Sequence, residues 1–366
     1  MITTTRATGL AAAAAIVGIA LSGCAASAPG DDGQQLTTVR FGIPTQMGAN
    51  NSPMAVAKAM GYFEAEGLQV ELVHTTDATS IIQGVDSGSL ELGSTPPEPL
   101  LQAIEQGSDV TLVYNYIRRQ TGSVASLADG PIQELEDLEG GIVGQASLGT
   151  SNLLLSNGIL ASVGLKEDVD FTNLAVGTGA AALQALKTGQ VQALSLWDTE
   201  YAAFEASGVE LNYFTTEDVA SLFSTTYFTS PDYLEEHADT VAGFGRAVAK
   251  ATLFTATNPE AALRIMYESY PNTLLAGSTA DEQLKTDIVA LQRRVELLTA
   301  GDPQDTGTWG AYAPDAVAAW EKFAAEAGIV TEKIALAPHV TDEYEKTYND
   351  FDANVVIADA EGWSVE

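Results

Sequence analysis

The sequence predicts an α/β protein of two similar lobes, each a set of βα units wrapped around its own sheet. Three observations predict it. Val39–Val73 reads as strand, polar loop, helix, glycine stop and strand; a similar pattern returns about a hundred residues later; and 46% of the residues are apolar, enough for two cores in a chain of this length.

In the first stretch Val39, Phe41 and Ile43 alternate with Arg40 and Gly42, the period of a strand. Ser52 is placed to cap a helix whose first residue is Pro53, where a missing N–H costs nothing. Gly61 and Gly67 interrupt or end that helix, and Leu68, Val70 and Leu72 alternate as the next strand. Strand, helix, strand is a right-handed parallel unit that binds ligands at the carboxyl ends of its strands. Here that end is the uncharged, amide- and hydroxyl-rich loop Gln46–Ser52.

The segment before it is excluded from the fold. Arg6 precedes the small and apolar run Gly9–Leu21, then Leu21, Ser22, Gly23 and Cys24. This is an export signal, since a membrane span needs about 20 apolar residues and different flanks. The tetrapeptide is similar to a bacterial lipobox, which implies lipidation of Cys24, the chain's single cysteine, and retention on the outer face of the cell membrane. The alternative is an ordinary secretory signal with a chance cysteine. Ala25–Thr37 then reads as a flexible tether.

Asp and Glu outnumber Lys and Arg by 49 to 16, a formal net charge of −33. With no basic patch to displace counterions, nucleic acid is excluded as a partner. The acidity reads as solubility in an extracytoplasmic setting.

A second βα step follows, with a helix over Thr79–Asp86, a strand over Leu90–Leu92, a ligand-side loop at Ser94, Thr95, Pro96 and Pro97, a helix over Glu98–Gln106 and a strand over Val110–Tyr116. The second lobe repeats the plan: strand Gly141–Gln145, loop Ala146–Ser151, helix Asn152–Val163, strand Phe171–Val176, then Gly177, Thr178 and Gly179 opening the helix Ala180–Lys187. Thr188–Ser195 mirrors Ser87–Ser94 in residue class and position, and Val191–Leu196 is the strand. The chain crosses between lobes at Ile117–Leu127 and returns at Ser224–Thr229. In this reading 38–120 and 225–366 form one lobe and 121–224 the other. Apolar residues at helical spacing predict helices over Thr240–Thr257, Pro259–Tyr270, Ala280–Leu298 and Pro314–Ala327, which pad the first lobe. In the acidic tail Tyr344, Tyr348, Phe351 and Trp363 are candidate docking side chains.

AVAKAMGYFEAEGLQVELV, DSGSLELGSTPPEPLLQAIEQG and DLEGGIVGQASLGTS together resemble the extracytoplasmic substrate-binding proteins of ABC importers, in the branch for nitrate, sulfonate, taurine and thiamine pyrimidines. The resemblance runs from Val39 to about Tyr213, with a weaker echo at Thr347–Asp352. It implies a type II periplasmic-binding fold, two crossover strands as hinge, closure on a small solute, a permease with its ATPase as partner, and a monomer. It does not fix the solute.

The candidate binding groups lie on strand-end loops: Gln46, Asn50, Asn51 and Ser52; Ser94 and Thr95; Ser147, Gly149, Thr150 and Ser151; Thr178 and Gly179. Hydroxyls and free N–H groups at helix N-termini suit an anion or a carbonyl oxygen. The bland reading is that Ser52, Thr95 and Ser151 are merely caps. Arg118 or Arg119, with Gln120 at the crossing, is either a charged ligand partner or solvated hinge surface. Trp197, Tyr116 and Tyr227 offer a place for a flat ring. Asp198 accepts a hydrogen bond from an amine or hydroxyl of the solute, or caps the next helix. An alkyl sulfonate, a nitrate-like anion, a carboxylate and a flat heterocycle or aromatic acid all remain open.

Enzyme signatures are weak. Gly177–Ala182 only outlines a dinucleotide loop, the three histidines, His74, His237 and His339, have no metal spacing, and no phosphate loop occurs, so no cofactor is expected. The rivals are a pyrimidine-synthase-like enzyme on the same fold and a sensor lipoprotein.

Overall fold

The computed structural model describes residues 36–75, 77–300, 309–313 and 315–364. The export signal, Cys24 and nearly all of the tether lie outside the described residues. At the tether's end Thr37 already belongs to the first strand, because its N–H is held by the Gly67 carbonyl.

In chain order the first part comprises β1 (Thr37–Ile43), α1 (Ser52–Ala59), α2 (Tyr62–Ala65), β2 (Leu68–His74), α3 (Ala78–Asp86), β3 (Leu92–Thr95), α4 (Pro97–Glu105) and β4 (Thr111–Asn115). The second comprises β5 (Gly122–Leu127), β6 (Ile142–Gln145), α5 (Ser151–Ala161), β7 (Thr172–Ala175), α6 (Gly179–Lys187), β8 (Ala193–Trp197), α7 (Asp198–Ala206), β9 (Leu211–Phe214) and α8 (Glu217–Ser221). The chain returns through β10 (Thr226–Thr229) and ends in α9 (Pro231–Glu236), α10 (Ala238–Thr257), α11 (Pro259–Ser269), α12 (Ala280–Leu298), α13 (Ala316–Glu326), α14 (Glu345–Tyr348) and α15 (Ala353–Gly362).

Two five-stranded sheets result, ordered β2-β1-β3-β10-β4 and β7-β6-β8-β5-β9. In each, four strands run in one direction and one, next to the edge, runs against them and has crossed from the other part of the chain: β10 in the first, β5 in the second. The orders are the same once strands are matched, so the repeat seen in the sequence is a repeat of topology. Gly88 and Gly189, which open the two matching segments, both turn with φ near +70° (70° and 73°).

β1 shows why the strands read as they do. Val39, Phe41 and Ile43 are buried on one face, but Gly42 is buried too, against Ile81 and Leu90, where a Cβ would come within 2.7 Å of Leu90. Both faces are covered, as in parallel sheets generally. β3 starts two residues later than its pattern suggests, at Leu92. Leu90 still belongs to the turn after α3, its N–H bound to the Gly84 carbonyl. Ser94 and Thr95, expected in a loop, are therefore the last strand residues.

The crossings lie side by side. The Tyr116 and Ile117 N–H groups donate to the Thr225 carbonyl, and the Ser224 N–H donates to the Ile117 carbonyl. α10 and α11 pack on the first core, and Tyr348 in the tail buries its ring there and donates to the Val113 carbonyl. α12 reaches further. It packs along α7 of the second part, bonds the crossing through the Arg118 N–H to the Leu297 carbonyl, and contacts α11 on its other side. None of the described helices is long and apolar enough to cross a membrane.

Candidate functional site

The strand-end loops of both sheets converge on one cavity of about 350 Å³. From the first sheet come Thr45, Gln46, Asn50, Asn51, Thr75, Asp77, Ser94 and Thr95; from the second Ser147, Gly149, Thr150, Ser151, Asn152 and Trp197; from the crossings Tyr116, Thr121, Thr225 and Tyr227; from α12 Arg294.

The first-sheet loop is held by its own amides. Asn51 Nδ2 donates to Thr45 Oγ1 at 2.8 Å and to the Gln46 carbonyl at 3.2 Å. His74, half-buried at the end of β2, braces the Thr45 carbonyl through Nδ1 at 2.9 Å and itself stays out of the cavity lining. Thr95 lines this cavity, and its buried Oγ1 has no hydrogen-bond partner among the described residues, so it is open to a polar group of a solute.

In the second-sheet loop Thr150 Oγ1 donates to the Ser147 carbonyl at 3.1 Å. Thr150 is the N-cap of the eleven-residue α5 without a side-chain cap bond, and Thr150, Ser151 and Asn152 bring the N-terminal end of that helix to the cavity.

Aromatic rings form the floor. Tyr116 and Tyr227 stack with centroids 4.8 Å apart, Tyr227 also stacks on Tyr114 at 5.5 Å, and Phe41 meets it edge-on at 4.9 Å. Burial pushes the Tyr116 hydroxyl up to about 12, so it remains a neutral donor. Tyr227 already has ring partners, whereas Trp197, half-buried, has ring area to offer.

Four expectations are corrected. Ser52 is buried outside the lining, its Oγ donating to the Ala49 carbonyl at 3.0 Å; a short 3-10 turn, Ala49–Asn51, precedes α1 and puts Asn51 at the N-cap. Thr178 and Gly179 do not line the cavity, because the Gly179 N–H at the start of α6 donates to Glu200 Oε2 at 2.7 Å and the protein's own carboxylate occupies that helix end. Arg118 and Arg119 line a separate cavity beside the crossing, where Arg118 lies 5.2 Å from the Trp309 ring. Asp198 neither caps α7, whose N-cap is Trp197, nor lines the cavity; its carboxylate holds Arg294 through Nε, at 2.8 Å, and Nη2.

Arg294 was not anticipated. It is 5% exposed, and it is the only cationic side chain among the described residues lining the cavity. Burial works against its charge, and the adjoining Asp198 carboxylate more than offsets this, holding its pKa above the ordinary value. Its sequence signal is a charge inside a buried stripe, Ala290, Leu291, Arg294 and Leu298.

The family described as NMT1/THI5 like matches residues 49–262. The chain is 26% identical over 250 residues to a formylaminopyrimidine-binding protein of Halalkalibacterium halodurans, covering 67% of this chain and 74% of that one. It is 24% identical over 320 residues to the riboflavin-binding protein RibY of Chloroflexus aurantiacus, covering 85% and 86%. A 4-amino-5-hydroxymethyl-2-methylpyrimidine phosphate synthase of Aspergillus parasiticus is 24% identical over 235 residues, 60% and 67% of the two chains. Among solved structures, the periplasmic aliphatic sulphonate binding protein of Escherichia coli superposes with a TM-score of 0.63 at 20% identity, covering 83% of this chain and 92% of that one, a likeness of fold.

Proposed function

From a chain that belongs to the NMT1/THI5-like family, we propose a solute receptor, not an enzyme: an extracytoplasmic protein, lipid-anchored through Cys24, that captures one small organic molecule between its two lobes and hands it to an ABC permease. The observation that carries the reading is the single cavity built from matching strand-end loops of two topologically equivalent sheets. A molecule seated there touches both, so its binding energy favours the conformation in which the loops approach each other. The lobes in this reading are 38–120 with 225–366, and 121–224, and the receptor acts as a monomer.

The lining supports a flat aromatic or heterocyclic solute of little net charge over a sulfonate or a nitrate-like anion. Arg294 is already neutralised by Asp198, Asp77 adds a carboxylate to the wall, and Arg118 belongs to another cavity. A strongly anionic group entering a partly desolvated wall with no free countercharge is repelled. Trp197, the Tyr116 edge and the unpartnered Thr95 hydroxyl suit a ring with polar edges. The names of the pyrimidine- and riboflavin-binding relatives support the same class.

A thermal-shift screen of the purified protein against pyrimidines, flavins, aromatic acids, alkyl sulfonates and nitrate tests this. A ligand that binds only the folded state raises Tm by mass action. The expected result is a shift with ring compounds alone. A shift with sulfonates or nitrate and none with rings overturns the solute class.

A further inference from the structure

We propose that Arg294 reads the hydrogen-bond polarity of the solute: its outer guanidinium N–H groups donate to a carbonyl oxygen or ring nitrogen on the solute's edge and disfavour an amino group at the same place. The inference rests on the flat-solute reading above.

Three features of the pair carry it. First, Asp198 takes Nε and Nη2 in a side-on bidentate grip, and Nη1 makes no hydrogen bond to any described residue. Of five donors in a rigid plane, two then go to the carboxylate, and the second Nη2–H and both Nη1–H groups are left over. Second, Arg294 lines the cavity beside Tyr116 and Tyr227, both cavity residues, which contribute to the raised pKa of its guanidinium. Third, the grip fixes orientation. Both side chains are about 5% exposed (6% and 5%), and Asp198 follows Trp197 directly in the chain, so the guanidinium is anchored to the strand end that carries the cavity's available ring.

Guanidinium has no lone pair to offer, so it can only donate. An oxo group or ring nitrogen gains a charge-assisted hydrogen bond there, while an amino group sets N–H against N–H and leaves donors on both sides unpaired in a buried site. The carboxylate partner cancels the charge, so the selection is for acceptor geometry and not for negative charge. Arg294 is a specificity-determining residue in this account, and Asp198 is a positioning residue acting through it.

Matched pairs of rings test this: the 4-oxo and 4-amino forms of pyrimidine, quinazoline and pteridine, titrated calorimetrically into wild type, Arg294→Lys and the double variant Asp198→Asn with Arg294→Gln. Lysine keeps the charge but loses the planar fork; the amide pair keeps a hydrogen-bonded, neutral filling of the same space and offers the solute both a donor and an acceptor. Wild type is expected to prefer the oxo form by about tenfold or more in at least one ring system. The double variant, whose amide offers both a donor and an acceptor, should lose that preference while melting cooperatively; Arg294→Lys, which also only donates, should keep the direction of the preference with weaker binding because the planar fork is gone. An oxo preference that persists in the folded double variant, or equal binding of both forms by wild type, removes Arg294 from solute selection and leaves the receptor reading standing. No binding of any ring by wild type at millimolar concentration overturns the flat-solute reading and this inference with it.

Discussion

Glu98, in the first turn of α4, is 1% exposed, and its Oε2 has no hydrogen-bond partner among the described residues. Burial pushes its carboxyl up to about 8, outweighing the opposing pull of its own backbone N–H. The folded state therefore holds the proton more tightly than the unfolded chain. The stability this contributes is complete below the ordinary carboxylate range, is lost as pH rises from there to about 8, and does not change further above it. At about 1.4 kcal/mol per pKa unit the effect amounts to a few kcal/mol. Glu98→Gln, neutral at every pH, is expected to melt with wild type near pH 4 and above it at pH 9. Thermal melts across that range check this, and equal melting temperatures at pH 9 would contradict it. The same residue-scale reasoning explains which cavity residues were legible. Gln46, Asn50, Asn51, Ser94, Thr95, Ser147, Gly149, Thr150 and Ser151 line the cavity as the rule that ligands sit at strand ends suggests, whatever each does locally. Thr178 and Gly179 obey the same rule and still fail, because Glu200 reaches their helix end from α7, twenty-one residues away. Nothing local to either segment signals that contact.

At the scale of elements, the helices and strands that periodicity and glycine stops outlined were found with ends shifted by at most three residues, while β9, α8, α9, α14 and α15, short or weakly patterned, were not outlined. Gly61, at φ 69°, divides α1 from α2 as a glycine in the left-handed region does. Gly93 lies where a Cβ would meet Phe228 at 2.5 Å, so β3 and the incoming β10 approach only through it. Gly93→Ala is expected to destabilise by overpacking, about 1–3 kcal/mol in denaturant melts. What periodicity missed is the partner of α12. A helix of this length, with charges on most of its face, reads as padding, yet it joins α7 through Arg294–Asp198 and Arg293–Glu205 while Tyr267 and Arg264 of α11 hold Asp287 and Asp281 on its other side. The partnership spans 96 residues of sequence in the case of Arg294 and Asp198, beyond any local pattern. Asp198→Ala strands a buried guanidinium and is expected to cost about 3–5 kcal/mol, whereas Asp198→Asn with Arg294→Gln should cost clearly less. Urea melts of the two variants decide it; equal losses would mean that the packing of α12 on α7, and not the ion pair, holds the helix.

For the whole molecule, the repeat is the feature that made the architecture legible. Two segments with the same order of glycines, apolar positions and hydroxyls, Ser87–Ser94 and Thr188–Ser195, specified two sheets of the same order, and the sheets in turn face their loops onto one cavity. The chemistry of that cavity was less legible, since the one cation among the described lining residues comes from α12, outside the repeat, and its carboxylate partner is 96 residues away in sequence. The central claim is that a flat solute binds in this cavity and nowhere else. Calorimetric titration tests it most directly, using the ring compound with the largest thermal shift, on wild type, on Thr150→Ala with Ser151→Ala and Trp197→Ala, and on Thr178→Ala. The account predicts one site per chain, affinity at least about a hundredfold weaker in the triple variant, from the loss of a stacking partner and of loop hydroxyls, and wild-type affinity in Thr178→Ala. Undiminished binding by a folded triple variant would contradict it.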